Sequence, residues 1–237
     1  MSYKIKLIAK ETIADGTMAF HFEKPEGFSY QAGQYADFTL INPAETDDEG
    51  DKRTFSLASA PYQSNLTIAT RMRDTAFKRV LKNLPEGSEL ELEGPYGSFA
   101  LPKESDTPAV FLTGGIGCTF VRSMVMQATH DQLPQEMLFL YSNRAPKDAA
   151  FLDEFNTLAA QNQHFTFVPT MTELGDQAWD GERGFITLDM LKKYVKDVTT
   201  PVYYLSGPGT MVGAMRQMLL DAGVNKYNLR TDQYAGY

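Results

Sequence analysis

The hydrophobic period of this chain changes once, close to residue 101, and the change calls for two different kinds of sheet in one polypeptide. Up to about Leu101 the apolar residues come in short alternating runs cut by turn residues: "YKIKLIAKET", "MAFHFEKPEG", "QYADFTLINP", "RTFSLASAP", "LTIATRMR" and "SELELEGPYG". A period of two over such lengths describes strands with one buried face, hence an antiparallel sheet or barrel. From Thr107 unbroken apolar strands alternate with helical stretches: "AVFLTGG" then "FVRSMVMQATH", "MLFLYSN" then "AAFLDEFNTLAAQ", "FTFVPTM" then "TLDMLKKYV", "VYYLSGPG" then "MVGAMRQMLLDAG". That order predicts a doubly wound α/β domain with a parallel sheet. "LPKESDTPA", Leu101 to Ala109, is polar with two prolines and reads as the linker, so domains are expected at 1–102 and 107–237.

A chain of 237 residues with 43% apolar residues suits two packed domains. The net charge of -8 argues against a nucleic-acid partner, which needs a basic face. Cys118 is the only cysteine, too few thiolates for an iron-sulfur cluster or a structural zinc. His21, His130 and His164 fit no metal spacing, so no metal site is expected. "MSYKIKLIAKE" scatters lysines where a signal peptide has a continuous apolar block, and no run is long enough for a membrane span; a cytoplasmic protein without membrane insertion is expected.

Three segments carry candidate chemistry. In "FLTGGIGCTFVRSM", Gly114, Gly115 and Gly117 lie between a strand and a helix, where backbone can approach a pyrophosphate and a helix N-terminus offers free N–H groups. A ligand-free tight turn explains so short a pattern equally well, and its spacing is not that of the usual dinucleotide fingerprint. A second glycine turn, "YLSGPGTM", follows a later strand. In "ATRMRDTAFKRVLKNL", Arg71, Arg73, Lys78, Arg79 and Lys82 crowd a helix start that Asp74 or Thr75 can cap; the ordinary fate of such a run is a solvated face. "RTFSLASAP" alone reads as a half-buried strand, with Phe55 and Leu57 inward, Arg53, Ser56 and Ala58 on the solvent side, and Pro61 ending it.

In order, "RTFS", "GPYGSF", "TGGIGCTF", "YSNR", "SGPGTM" and "DQY" resemble the ferredoxin-NADP reductase family of flavoproteins, in its form without an iron-sulfur domain. The resemblance runs from about Tyr3 to Tyr237. It implies a six-stranded antiparallel flavin-binding barrel, a nicotinamide-dinucleotide domain, and a flavin ring lying between them. By similarity Arg53 holds the flavin phosphate, Phe55 packs on the isoalloxazine in place of the usual tyrosine, and Ser56 bonds near its N5. Arg53 and Phe55 then share a strand face, and a guanidinium fork suits phosphate oxygens. Thr54, Thr70, Arg71, Thr75 and Lys78 complete the implied flavin set, Thr75 and Lys78 standing where relatives carry glycine and a hydroxyl residue.

The implied dinucleotide set is Gly114, Gly115, Ile116, Gly117, Thr119, Ser142, Arg144, Gly207, Pro208 and Met211, with Arg144 facing the extra phosphate of NADPH. Phe120 replaces a common proline, and Ser206 stands where some relatives have a cysteine near the nicotinamide. Asp232 takes the place of the family's glutamate, and Tyr234, followed by Tyr237, that of the aromatic residue beside the flavin. The implied chemistry is hydride transfer from NADPH or NADH to flavin N5. FAD is expected in preference to FMN. Ser56, Ser206, Asp232 and Tyr234 shape the site without acting as a nucleophilic triad. Electrons then pass to a separate acceptor: ferredoxin, flavodoxin, an oxygenase component or a small oxidant. The alternative from another class is a flavin-binding electron-relay or regulatory subunit inactive alone. A flavin-free structural protein is a third, and predicts a colourless preparation.

Overall fold

A computed structural model of the chain describes residues 2–102 and 106–234, with backbone alone for Gln233 and Tyr234. The Tyr234 ring, Tyr237 and the middle of the expected linker therefore lie outside the described residues. Internal contacts divide the chain into two units, residues 1–100 with 119–127 and residues 101–118 with 128–237.

The first unit has one strand for each alternating run: β1 (Ser2–Ala14), β2 (Thr17–Glu23), β3 (Tyr35–Leu40), β4 (Lys52–Ser56), β5 (Asn65–Arg71) and β6 (Glu89–Tyr96). They form an antiparallel sheet in the order β4-β3-β6-β1-β2-β5. Just past β4 the two outer strands meet: Ala58 N–H donates to the Thr67 carbonyl at 2.8 Å, and Thr67 N–H donates to Ser59 Oγ at 3.0 Å. This joins the edges of the sheet and gives the expected barrel. Its interior follows the alternation, as in β3, where Ala36, Phe38 and Leu40 are buried and the residues between them are not. Phe20, Phe22, Phe38, Leu66, Ile68, Leu90 and Leu92 form the core, and Phe77, Val80 and Leu81 of helix α1 (Ala76–Asn83) pack onto it.

Two sequence expectations fail at the barrel's closing corner. Ala58 is fully buried, and its N–H and carbonyl are both hydrogen-bonded, the carbonyl to Arg122 Nη1 at 2.7 Å. Arg53 is not on the solvent side either; its side chain keeps only 17% of its accessibility and its guanidinium lies 5.2 Å from the centre of the Phe77 ring. Beside Ala58, the Ser59 carbonyl accepts from Ser123 Oγ at 2.6 Å and from Tyr30 Oη at 2.9 Å. Burial pushes the Tyr30 hydroxyl up to about 12, against the lowering by its bond to Ser59.

The second unit is one parallel sheet in the order β10-β9-β8-β7-β11-β12, with β7 (Ala109–Gly114), β8 (Met137–Asn143), β9 (Phe165–Met171), β10 (Glu182–Arg183), β11 (Val202–Pro208) and β12 (Leu229–Tyr234). Every residue of β7 and β8 is buried, which is why these runs are apolar without alternation. One face is aromatic: Phe111, Phe139, Tyr141, Phe167 and Tyr204, with Phe155 of α3 (Leu152–Gln161) 4.9 Å from Phe139. The other is mainly aliphatic, where Val110, Leu112, Leu138 and Leu140 cluster with Leu191 of α4 (Leu188–Lys192) and Val212, Met215 and Leu219 of α5 (Gly209–Asp221). Helix α4 is shorter than "TLDMLKKYV" predicts, because Lys193 and Tyr194 N–H turn to carbonyls three residues back and tighten the turn. Strand β10, two residues on the sheet edge, had no sequence pattern to announce it.

The chain works outward from β7 through β8 and β9, then returns to the other side of β7 for β11 and β12. The strand order therefore reverses between β7 and β11. Open α/β sheets bind ligands in the crevice at the carboxyl ends of strands at such a reversal.

Candidate functional site

Both glycine turns lie at that reversal and pack on each other. A Cβ on Gly117 would stand 2.8 Å from the Ser206 carbonyl oxygen and 3.1 Å from Ser206 Oγ. One on Gly207, whose φ is +143°, would stand 3.2 Å from Gly114 N, and one on Gly114 would meet Met211 Sδ at 2.5 Å. Gly115, at φ +54°, begins the 3-10 turn Gly115–Cys118 that leads into α2 (Thr119–His130). The absence of side chains here is thus a packing requirement and leaves backbone at the crevice floor.

Near the carboxyl ends of β7, β8 and β11 lie three unsatisfied polar atoms. Ser206 Oγ, Thr113 Oγ1 and Asn143 Nδ2 are buried without a hydrogen-bond partner among the described residues. Ser206 and Thr113 are register neighbours on β11 and β7, and Asn143 ends β8. An unmet buried polar group costs about 1–3 kcal/mol, so three at the ends of adjacent strands fit a floor that a polar ligand completes. Asp232 is the register neighbour of Ser206 on β12. Ser142 and Thr119 are buried, while Arg144 is 56% exposed and pairs with the buried Asp148 at 3.5 Å. Cys118 is buried, and Tyr141 Oη, 3.4 Å from its sulfur, also donates to the Gly115 carbonyl at 2.9 Å. The thiol packs under the turn, as expected of a small buried hydrophobe.

In the first unit, cations gather at the start of α1. Thr75 is its N-cap, its hydroxyl accepting from Lys78 N–H at 3.4 Å. Lys78 Nζ folds back to the Arg71 carbonyl at 2.8 Å. Its pKa is pushed down to about 8, first by burial and then by the nearby Arg73 and Arg53. Three cations held close enough to depress one of their number, beside a helix start, fit a phosphate-bearing ligand. Of the basic run read in the sequence, Lys82 does not belong here, since it lies in the last turn of α1. Arg79 points to acids, bonding Glu45 through Nε at 2.9 Å and Nη2 at 2.5 Å, and Asp74 through Nη1.

The opposite charge comes from the segment before β4, which sequence reasoning passed over. Arg53 Nη2 pairs with Asp47 at 3.1 Å and Glu49 at 2.9 Å, and Nη1 donates to the carbonyls of Glu49, Gly50 and Lys52. Phe55 is half-buried, 5.8 Å from Phe38 and 5.9 Å from Phe77. Ser56 pairs in register with Tyr35, Thr54 is exposed and donates to Asp37, and Thr70 is buried. The segment carries Glu45, Asp47, Asp48, Glu49 and Asp51 close ahead of an arginine, and that density of acids was the available signal. The three histidines pair with Glu11, Asp131 and Glu136. Among the described residues no cluster of metal-ligating side chains occurs, and no helix is long and apolar enough to cross a membrane.

Comparison with known proteins bears on the fold of both units. The family described as oxidoreductase NAD-binding domain matches residues 111–217, which contain both glycine turns. The F subunit of the Na(+)-translocating NADH-quinone reductase of Histophilus somni is 31% identical over 205 residues, 80% of this chain and 50% of that protein. The same reductase component of Pasteurella multocida is 29% identical over 232 residues, 91% of this chain and 56% of that one. The chain thus spans about half the length of these curated relatives. A ferredoxin NADP+ reductase from Neisseria gonorrhoeae with bound FAD and NADP superposes with a TM-score of 0.79 at 20% identity, covering 98% of both chains. The flavohem-like FAD/NAD binding domain of nitric oxide dioxygenase from Vibrio cholerae does so at 0.82 and 20%, also over 98% of both. With one antiparallel barrel, one parallel sheet and a match to the oxidoreductase NAD-binding domain over residues 111–217, the chain has the two-domain ferredoxin-NADP reductase-like fold.

Proposed function

We propose that this chain is a flavin-dependent NAD(P)H oxidoreductase that draws reducing equivalents from a nicotinamide dinucleotide and delivers them to a separate acceptor. The observation that carries the reading is the pair of glycine turns at the strand reversal, floored by Ser206, Thr113 and Asn143. Bare backbone at Gly114–Gly117 and Gly207 accepts the pyrophosphate, and the buried hydroxyls and amide orient the polar edge of the base. The cations at the start of α1 and Arg53 hold the flavin's phosphates, with Thr54, Phe55 and Ser56 of β4 toward its ring system. A bound flavin supplies two-electron uptake from a nicotinamide and one-electron release. Ser56, Ser206 and Asp232 position their ligands without forming a covalent bond. FAD is the expected flavin.

The purified chain is expected to be yellow and to reduce an artificial acceptor with NADH or NADPH; a colourless chain that binds no added flavin would refute the reading. A second reading is favoured by the relatives' being subunits of a quinone reductase about twice this length: an electron-relay subunit idle by itself. It predicts bound flavin and no turnover in isolation, which the same assay separates.

Arg144 bears on the choice of dinucleotide. Its exposed guanidinium follows β8 directly and is only partly neutralised by Asp148. Arg144→Ala is expected to lower kcat/KM for NADPH by roughly tenfold or more, and for NADH much less, because a charge-assisted bond to phosphate contributes about 1.5–3 kcal/mol. Equal losses with both dinucleotides would remove Arg144 from that role.

A further inference from the structure

One carboxylate bridges the two halves of the cation cradle. Asp47 Oδ2 accepts the N–H of Ala76, the first residue of α1, at 2.9 Å, while Asp47 Oδ1 accepts from Arg53 Nη2 at 3.1 Å. A phosphate bound at this helix start would engage the same N–H and the same fork. Glu49 Oε2 fills the rest of Arg53 Nη2 at 2.9 Å. The segment is tethered at its other end, where Glu45 takes Arg79 in a two-oxygen grip. The Ala76 N–H first, then the Glu49 N–H and the Arg53 guanidinium, hold the Asp47 carboxyl below its ordinary range, so it stays an anion in this position at neutral pH. The geometry is that of an anion already in the cradle, and the anion belongs to the chain.

We propose that the acidic segment Glu45–Asp51 is a built-in competitor for the flavin's phosphates, with Asp47 and Glu49 occupying the cradle in the flavin-free chain and withdrawing from it when the cofactor enters. This rests on the flavin reading above. Two consequences distinguish it from an ordinary helix cap. Flavin affinity is set by the difference between two anions at one site, and the flavin-free chain is spared the repulsion among Arg53, Arg73 and Lys78 that an empty cradle would impose. The tether from Glu45 to Arg79 lies outside the contested N–H and fork, so the segment can swing aside without being released.

The test is calorimetric titration of the flavin-free full chain with inorganic pyrophosphate and, separately, with FAD, comparing wild type with Asp47→Asn/Glu49→Gln. Asparagine keeps an acceptor for the Ala76 N–H and leaves the Thr75 cap untouched, while the competing charge is gone. The double variant is expected to bind both probes about tenfold more tightly, a change of about 1.4 kcal/mol. Equal or weaker binding of both probes would overturn the proposal. Tighter pyrophosphate binding in the variant, with FAD bound by neither protein, would uphold the competitor and sink the flavin reading instead. Should the double variant fail to fold, Glu49→Gln alone, at a side chain 73% exposed, is expected to give about a threefold gain, and no gain there would count against the proposal.

Discussion

Gly117→Ala is expected to cost about a hundredfold in dinucleotide affinity, roughly 3 kcal/mol, while the barrel keeps its flavin. The added Cβ would lie 2.8 Å from the Ser206 carbonyl oxygen and 2.9 Å from the Ser206 carbonyl carbon. These are backbone atoms of a central strand, bonded on one side to β7 and on the other to β12, and they cannot rotate away as a side-chain tip would. The turn Gly115–Cys118 must lift instead, which pulls the phosphate-facing backbone out of place and overpacks the crevice floor by about 1–3 kcal/mol. Gly213→Ala supplies the control: a Cβ there meets nothing within 4 Å, and in helix α5 the change should stabilise by about 1 kcal/mol. Titration with NADH and NADPH, with thermal unfolding of both variants, measures these effects. A Gly117→Ala chain that binds dinucleotide like wild type would show that the glycine turn is not the site.

Arg53→Ala is the second large expected effect, a loss of roughly 1.5–3 kcal/mol in flavin affinity, the range for a hydrogen bond to a charged group. Arg53→Lys should recover only part of it, since an ammonium restores the charge and not the two-oxygen fork. The pH dependence sharpens the test. A bound phosphate favours protonated Lys78, so its pKa lies higher with flavin bound than the value of about 8 in the flavin-free chain. Wild-type affinity should therefore fall as the pH rises past about 8. In Arg53→Ala one of the cations that depress Lys78 is gone, and the fall should begin at a higher pH. A folded Arg53→Ala variant with wild-type flavin affinity across that range would take this residue out of the cradle.

How much of this was legible in the sequence follows the range of the interactions concerned. The six barrel strands were readable because alternation is local, and the parallel sheet because strands buried on both faces cannot alternate. The closing corner was not. Ala58 looks solvent-facing in "RTFSLASAP", yet it is buried and its carbonyl is bonded by Arg122, 64 residues further on. The glycine turns stood out in both halves of the crevice, whereas Thr113 and Asn143 looked like ordinary ends of apolar strands until the strand order set Thr113 beside Ser206 and Asn143 on the next strand. At the cradle the excess of cations was visible, but helix geometry carries Lys82 to the far end of α1 and turns Arg79 toward Glu45. The acidic segment escaped notice because a charge run in a loop is ordinarily solvated; only its bonds to Ala76 and Arg53 give it a role.

Residues 119–127 belong by their contacts with residues 1–100, and this bears on how the protein is made. The barrel's six strands are all translated by Tyr96, yet the donors for the Ala58 and Ser59 carbonyls, Arg122 and Ser123, come later, as does Gln127, whose Oε1 accepts the Tyr62 N–H at 3.2 Å. A nascent chain therefore reaches a stage at which the strands can pair but the corner after β4 lacks three of its side-chain partners, and β7 of the other sheet is synthesised before they arrive. Order of synthesis and order of completion differ here, and a gene fragment stopped at codon 100 encodes every strand of the barrel and the bonds between Ala58, Ser59 and Thr67, without the Arg122, Ser123 and Gln127 side chains that complete the corner.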